Sequence, residues 1–182
     1  SLLNSYKSSV IKFGIDPILK KYEKNYKDID YYLADFFSAK KVMKKTKKKF
    51  KIITALSVFY DARNPNSFLL DVRKILDNDG IFLLEFADLS SIIKFKMFDT
   101  ICHEHLEYYS TKVICDLAKK HKLRVFDIKQ NDINGGSKQY FICHTESRIK
   151  SKKEKINKIL KNENKLELDK IGTFRKFIKE IN

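Results

Sequence analysis

Apolar positions along this chain change period repeatedly, and each change marks an element. The run "VIKFGID" (10–16) reads as a short β-strand ended by Asp16-Pro17. Proline stops a strand and is suited to the first turn of a helix, here "PILKKYEKNY" (17–26). "DIDYYLADFF" (28–37) reads as a second strand ending near Ala34-Asp35, and "SAKKVMKKTKK" follows as a helix with Ser38 as its cap. "FKIITALSVFY" (50–60) is continuously apolar and β-branched, the pattern of a strand buried on both faces. Phe68, Leu69, Val72, Ile75 and Leu76 recur at helical spacing, with Asp79-Gly80 expected to close that helix. "IFLLEF" (81–86) is another buried strand, "STKVICDLAKKHK" (110–122) an amphipathic helix capped by Ser110, and "LRVFDIKQ" and "KQYFICHT" two further strands. Residues 150–182 look helical and highly charged.

Strands alternating with helices from residue 10 to 130 predict an α/β fold with a mostly parallel sheet. The last two strands have no helix between them, so the final one is expected to run antiparallel. No internal repeat is visible.

The formal charge of +15 raises the question of nucleic acid, and its distribution argues against it. Residues 1–51 carry fourteen Lys/Arg against five Asp/Glu, residues 150–182 eleven against five, and residues 52–149 thirteen of each. The excess lies in "KKVMKKTKKKFK" and "RIKSKKEKINKILKNENK", lysine runs with few aromatics and almost no arginine, whereas groove readers favour arginine and stacking rings. Solvated lysine faces are the expectation. No run reaches the roughly 18 apolar residues of a membrane span, and no apolar stretch follows a basic start as in a signal peptide. Cys102, Cys115 and Cys143 form no CxxC pair and read as free thiols of a reducing compartment, with the cytoplasm as default.

In such sheets ligands bind beyond the carboxyl ends of the strands. Asp16, Asp35, Leu56 to Tyr60 and Glu85 to Asp88 fall there. An acid at the end of such a strand accepts hydrogen bonds from a ribose diol; equally, Asp16 before proline makes an Asx turn, and the residues alone leave both open.

The most crowded stretch is "FDTICHEHLEYYS" (98–110), with two of the chain's four histidines. The zincin spacing HExxH is absent, and no further ligand pair has zinc-like spacing, so no metal site is expected. Histidine titrates near neutrality, and a neighbouring carboxylate orients its ring; Glu104 beside His105 on a ligand-edge loop is suited to moving a proton. The alternative is that one histidine caps the turn at Phe98-Asp99 or the helix at Ser110 while the other is exposed.

With "INGGS" (133–137) some twenty residues later, this stretch resembles the sugar C-methyltransferases, S-adenosylmethionine-dependent enzymes that methylate a carbon of a nucleotide-linked deoxyhexose. "ITALSVFYDARNPNSFLLDVRKILDNDGIFLLEF" and "FGIDP" resemble other parts of that family, and the resemblance runs from about Leu2 to Ser147. It implies a Rossmann-like class I methyltransferase sheet over residues 1–147, then a charged helical segment, 148–182, leading into a C-terminal domain. It implies His105 and Glu104 as the catalytic acid/base pair that deprotonates the accepting carbon. It implies Asp16, Asp35, Phe36, Leu56 and Ser57 on S-adenosyl-L-methionine: Asp16 at the ribose, Asp35 at the adenine amino group, Phe36 stacked on the ring. His103, Tyr109, Asn134 and Ser137 would face the nucleotide-sugar substrate, with Gly135 and Gly136 in a tight turn that is equally a plain hairpin turn.

The chain departs from the family pattern in three ways. Cys102 stands where many relatives have tyrosine, and Gln139 where arginine is usual. The chain also begins, at serine, just after the family's first strand and glycine-rich loop, so it is expected to be truncated at both ends. The zinc-binding domain of relatives lies upstream of that point. The loop cradles the cofactor through backbone N–H groups, and the strand is central, so the chain alone is expected to be aggregation-prone and inactive. A methyltransferase with another small acceptor, a basic binding module and a gene remnant are the alternatives.

Overall fold

The computed structural model describes residues 2–6, 9–21 and 29–181. The chain divides into two compact units, residues 1–49 and 50–182.

In the first unit β1 (Phe13–Ile15) pairs in parallel with β2 (Tyr31–Leu33). The pair is short because it is closed at both ends. Lys12 N–H donates to the Asp30 carboxylate at 2.7 Å, and Asp16 N–H donates to the Leu33 carbonyl at 3.1 Å. After Asp16 the chain makes a tight turn; residues 22–26 of the expected helix lie outside the described residues. Helix α1 (Ala39–Thr46) follows with Ser38 at its N-cap position. The expected cap bond is not made: Ser38 is extended there and its hydroxyl bonds no helix N–H.

The second unit is a four-stranded sheet of order β3-β4-β6-β5, built from Phe50–Leu56, Leu76–Ala87, Ser137–His144 and Leu123–Asn131. β3 and β4 are parallel; β6 is antiparallel to β4 and to β5. The sheet is thus mixed in the expected way, with the last strand reversed. The buried face of β4 presents Phe82, Leu84 and Phe86 to Phe59, Phe68, Tyr109 and Tyr140, an aromatic core with ring separations of 5.1 to 6.4 Å. Helices α2 (Pro65–Ile75) and α4 (Thr111–Lys120) have matching apolar stripes, burying Leu69, Val72 and Ile75 and then Ile114 and Ala118. α4 is capped as its sequence predicts, by Ser110 on Val113 N–H, and α2 is capped by the Asn64 side chain on Ser67 N–H. A short α3 (Leu89–Phe95) leaves the end of β4, and α5 (Lys153–Asn164) and α6 (Ile171–Ile181) complete the chain.

Two readings need correction. Asp79-Gly80 does not close α2. The helix ends at Ile75, where Leu76 turns extended and is wholly buried, and β4 begins at once. Gly80 sits instead in a register shift against β3, where a Cβ would lie 2.8 Å from the Phe50 carbonyl oxygen, so close backbone approach explains the glycine. Nor is β3 buried on both faces. Only Ala55 is buried, and Ile52 is 52% exposed, because among the described residues β3 pairs only with β4 and lies at the sheet edge.

Candidate active site

Strand directions decide what gathers at one end of the sheet. Leu56 pairs with Glu85, Ala87 with Ser137 and Ser137 with Asn131. The carboxyl ends of β3, β4 and β5 and the start of β6 therefore share one edge. The turn after β3, the β4–α3 junction, the crowded loop between α3 and α4, and the glycine turn all belong to it.

His105 is half-buried there. Its Nδ1 lies 3.0 Å from the Thr100 carbonyl oxygen, and its ring packs on Tyr60 with centroids 4.0 Å apart at 45°. A carbonyl only accepts, so Nδ1 carries the proton, and of the two neutral tautomers the contact selects the one with its lone pair on Nε2. The loop is fastened to the turn after β3 by backbone bonds: Leu106 and Glu107 N–H both donate to the Tyr60 carbonyl, at 3.1 and 3.2 Å. Tyr108 braces the other side, donating its hydroxyl to Thr100 O at 3.3 Å while accepting Cys102 N–H at 3.2 Å. The orienting group for His105 is thus a backbone carbonyl, the end of the turn Phe98–Thr100. Glu104 is exposed and makes no hydrogen bond to the ring among the described residues. Asp61 also feels this ring: its pKa is pushed up by burial, drawn down by His105 and raised again by Glu104. Burial likewise raises the Tyr60 phenol, against a hydrogen bond with Ser57 that lowers it.

Tyr60 is the last residue of the strand end, Leu56 to Tyr60, that the sequence places at the ligand edge, but its role against His105 has no signal there. Asp61 lies one residue beyond that range; the Thr100 carbonyl has no signal, because backbone acceptors leave no trace in residue identity.

The remaining expected site residues are placed as follows. His103 is exposed. Tyr109 is 4% exposed between Phe59 and Phe86, with a hydroxyl that has no hydrogen-bond partner among the described residues; burial first, and Glu107 second, push its pKa up to about 12. Asn134 is exposed in the left-handed region, φ 53°, and Ser137 is buried, donating its hydroxyl to Ile133 O at 2.9 Å. Gly136, at φ 138°, is held by Asp88 N–H on its carbonyl at 3.0 Å. Gln139 donates to the buried Glu85 carboxylate at 2.5 Å, so its amide is committed within the sheet. Ser57 is left-handed at φ 53°, a strained position for a non-glycine residue at a ligand edge.

Asp16, Asp35 and Phe36 belong to the first unit. Asp16 makes the Asx turn, Oδ1 accepting Ile18 N–H at 2.8 Å. Asp35 accepts Phe36 N–H at 2.7 Å and pairs with Lys41 at 2.6 Å, and the Lys41 bond above all holds its carboxyl below the usual range. Phe36 is 72% exposed. An apolar groove of about 640 Å³ adjoins the crowded loop, walled by Ile92, Phe98, Ile101, Leu106, Tyr108 and Phe177. Among the described residues no group of three or more His, Cys, Asp or Glu is placed to hold a metal, and no helix is long and apolar enough to cross a membrane.

Comparison with known proteins adds sequence and fold kinship. Residues 132–182 match the model of the C-methyltransferase C-terminal domain. A stretch of 66 residues is 42% identical to the C-methyltransferase NovU of Streptomyces niveus, covering 36% of this chain and 16% of that protein. The match thus spans only a small part of that curated relative. Among solved structures, a pericyclic reaction enzyme aligns with a TM-score of 0.59 at 10% identity, over 79% of this chain and 38% of that one. An S-adenosylmethionine-dependent methyltransferase of Clostridium acetobutylicum aligns with 0.56 at 11% identity, over 79% and 77%. At these identities the alignments establish a shared fold, the Rossmann-like α/β sheet of class I methyltransferases, and no more.

Proposed function

Starting from a chain that is a relative of the S-adenosylmethionine-dependent C-methyltransferases, we propose that the protein transfers a methyl group to carbon, and that the acceptor is a nucleotide-linked deoxysugar bearing a carbonyl. The observation that carries the chemistry is the bond from His105 Nδ1–H to the Thr100 carbonyl, which leaves Nε2 as a base. A C–H bond is not a nucleophile until its proton leaves. Nε2 takes that proton from the carbon beside the carbonyl, and the electron pair left on carbon is the attacking group. Tyr60 packed on the ring, and Tyr108 on the same carbonyl, hold the imidazole in place through the transfer. Glu104 is exposed on the same loop, next to His105, and serves as the carboxylate that relays the proton to solvent.

Each unit carries residues proposed for S-adenosylmethionine. In the first, Asp16 is proposed for the ribose and the exposed ring of Phe36 for the adenine; in the second, Leu56 and Ser57 lie at the carboxyl end of β3. Asp35 would share its carboxylate with Lys41. When bound, the cofactor supplies an activated methyl on a sulfonium. His103, Tyr109, Asn134 and Ser137 are the proposed substrate contacts, the unpartnered Tyr109 hydroxyl foremost among them. The three free thiols agree with a reducing compartment, and the cytoplasm is the proposed setting.

The test is transfer of isotope-labelled methyl from S-adenosylmethionine to a nucleotide-linked keto-deoxysugar by the protein that carries this chain. Label on carbon of the sugar is the expected result. Label on oxygen or nitrogen, or on a small acceptor unlinked to a nucleotide, would overturn the reading.

A further inference from the structure

Beneath the candidate site lies a cluster of buried charge that the chemistry above does not use. Lys138, 3% exposed, follows the glycine turn in β6. Its Nζ forms ion pairs with Asp88 Oδ1 at 2.9 Å and Glu163 Oε1 at 2.5 Å, and it donates to Thr111 Oγ1 at 3.0 Å and Ser90 Oγ at 3.2 Å. Asp88, fully buried, caps α3 by accepting Ser91 N–H, and its own N–H holds the Gly136 carbonyl. Glu163, 5% exposed on α5, accepts both Thr111 N–H and the Thr111 hydroxyl, and that hydroxyl also meets Tyr140 Oη at 3.2 Å.

The chain order gives this cluster its significance. The loop carrying His105 leaves α3 and enters α4. Asp88 fixes the start of α3, Thr111 is the first residue of α4, and Lys138 directly follows Ser137. One ammonium between two buried carboxylates therefore ties together both supports of the loop and the glycine turn. Buried ion pairs add little net stability compared with apolar packing of the same shape, but they demand one geometry, which suits a positioning role.

We propose that Asp88, Lys138, Glu163 and Thr111 are positioning residues that hold the His105 loop and the glycine turn in register with each other. This rests on the reading of the His105 loop as the active site only for its purpose; the coupling itself is testable without activity. The experiment compares the protein that carries this chain with its Glu163→Gln, Thr111→Val and conservative Thr111→Ser variants. The first readout is hydrogen exchange followed by mass spectrometry. The second is the histidine Cε1–H NMR signals, with that of His105 assigned by its loss in His105→Gln.

In Glu163→Gln and Thr111→Val, exchange over residues 98–110 and 133–137 should rise about tenfold while α2 is unchanged, and the His105 signal should move. Thr111→Ser should restore both. Uniformly faster exchange with an unmoved His105 signal, or no change at all, would overturn the proposal. If Glu163→Gln does not fold, the two threonine variants decide alone. Absence of methyl transfer in the wild type would count against the proposed function and leave this result standing.

Discussion

The imidazole of His105 lies on the phenol ring of Tyr60, centroids 4.0 Å apart, while its Nδ1 sits on the carbonyl of Thr100. The two contacts do different work. The hydrogen bond selects the tautomer, and the ring contact limits how the imidazole can swing. Tyr60→Phe keeps the ring and loses only the bond to Ser57, so turnover should stay near wild type. Tyr60→Ala removes the ring face and should lower kcat roughly tenfold to a hundredfold, with little change in cofactor affinity, as expected for lost orientation. Steady-state kinetics together with cofactor titration separate the two effects.

Tyr109→Phe should stabilise the fold or leave it unchanged, within about 1 kcal/mol, because it deletes a buried hydroxyl that bonds nothing among the described residues. The same change should raise KM for the sugar if that hydroxyl meets substrate. Thermal melts and KM on one protein preparation test both halves. Loss of stability together with unchanged KM would reassign Tyr109 to the core.

Gly136→Ala should destabilise by roughly 1–3 kcal/mol. Its φ of 138° disfavours any side chain, and a Cβ would stand 2.8 Å from the Ser91 hydroxyl oxygen. At Gly135 the nearest atom to a Cβ is the end of the flexible Met97 side chain, so only the backbone strain of φ 76° should be felt there. Urea midpoints of the two variants should rank in that order.

Asp127 anchors α5 to β5. Burial pushes its carboxyl up, but bonds from Lys152 and Lys155 and from Ile128 N–H outweigh it and leave the pKa below its ordinary value. A carboxyl with a lowered folded pKa stabilises above its unfolded value, and that contribution is lost as pH falls through the folded one. Stability should therefore decline from about pH 4 downward, and Asp127→Asn should flatten this part of the curve. Equal slopes below about pH 4 for the wild type and for Asp127→Asn would contradict it.

Much of the fold was legible in residue pattern. The stripes of α2 and α4, the cap at Ser110, and the strand-after-strand ending that makes β6 antiparallel all follow from local spacing. What failed was non-local. Ile52 looks like a core residue in any window, and only strand order shows that it lies at an edge. Gly80 beside Asp79 imitates a helix stop, while its cause is the Phe50 carbonyl thirty residues earlier. In the site, the histidines and the glycine turn announced themselves by composition. Lys138 did not: one lysine in "SKQYFICH" gives no sign that it is buried between carboxylates 50 residues upstream and 25 downstream.

The central claim is that His105 Nε2 is a base toward a carbon acid, and exchange of substrate hydrogen with solvent tests it most directly. The protein that carries this chain is incubated in D2O with a nucleotide-linked keto-deoxysugar and without S-adenosylmethionine, and deuterium at the carbon beside the carbonyl is followed by NMR. Deuterium should enter with the wild type and at least about a hundredfold more slowly with His105→Gln. Exchange that proceeds undiminished in His105→Gln would show that another group removes the proton, and that His105 only closes the turn at Thr100.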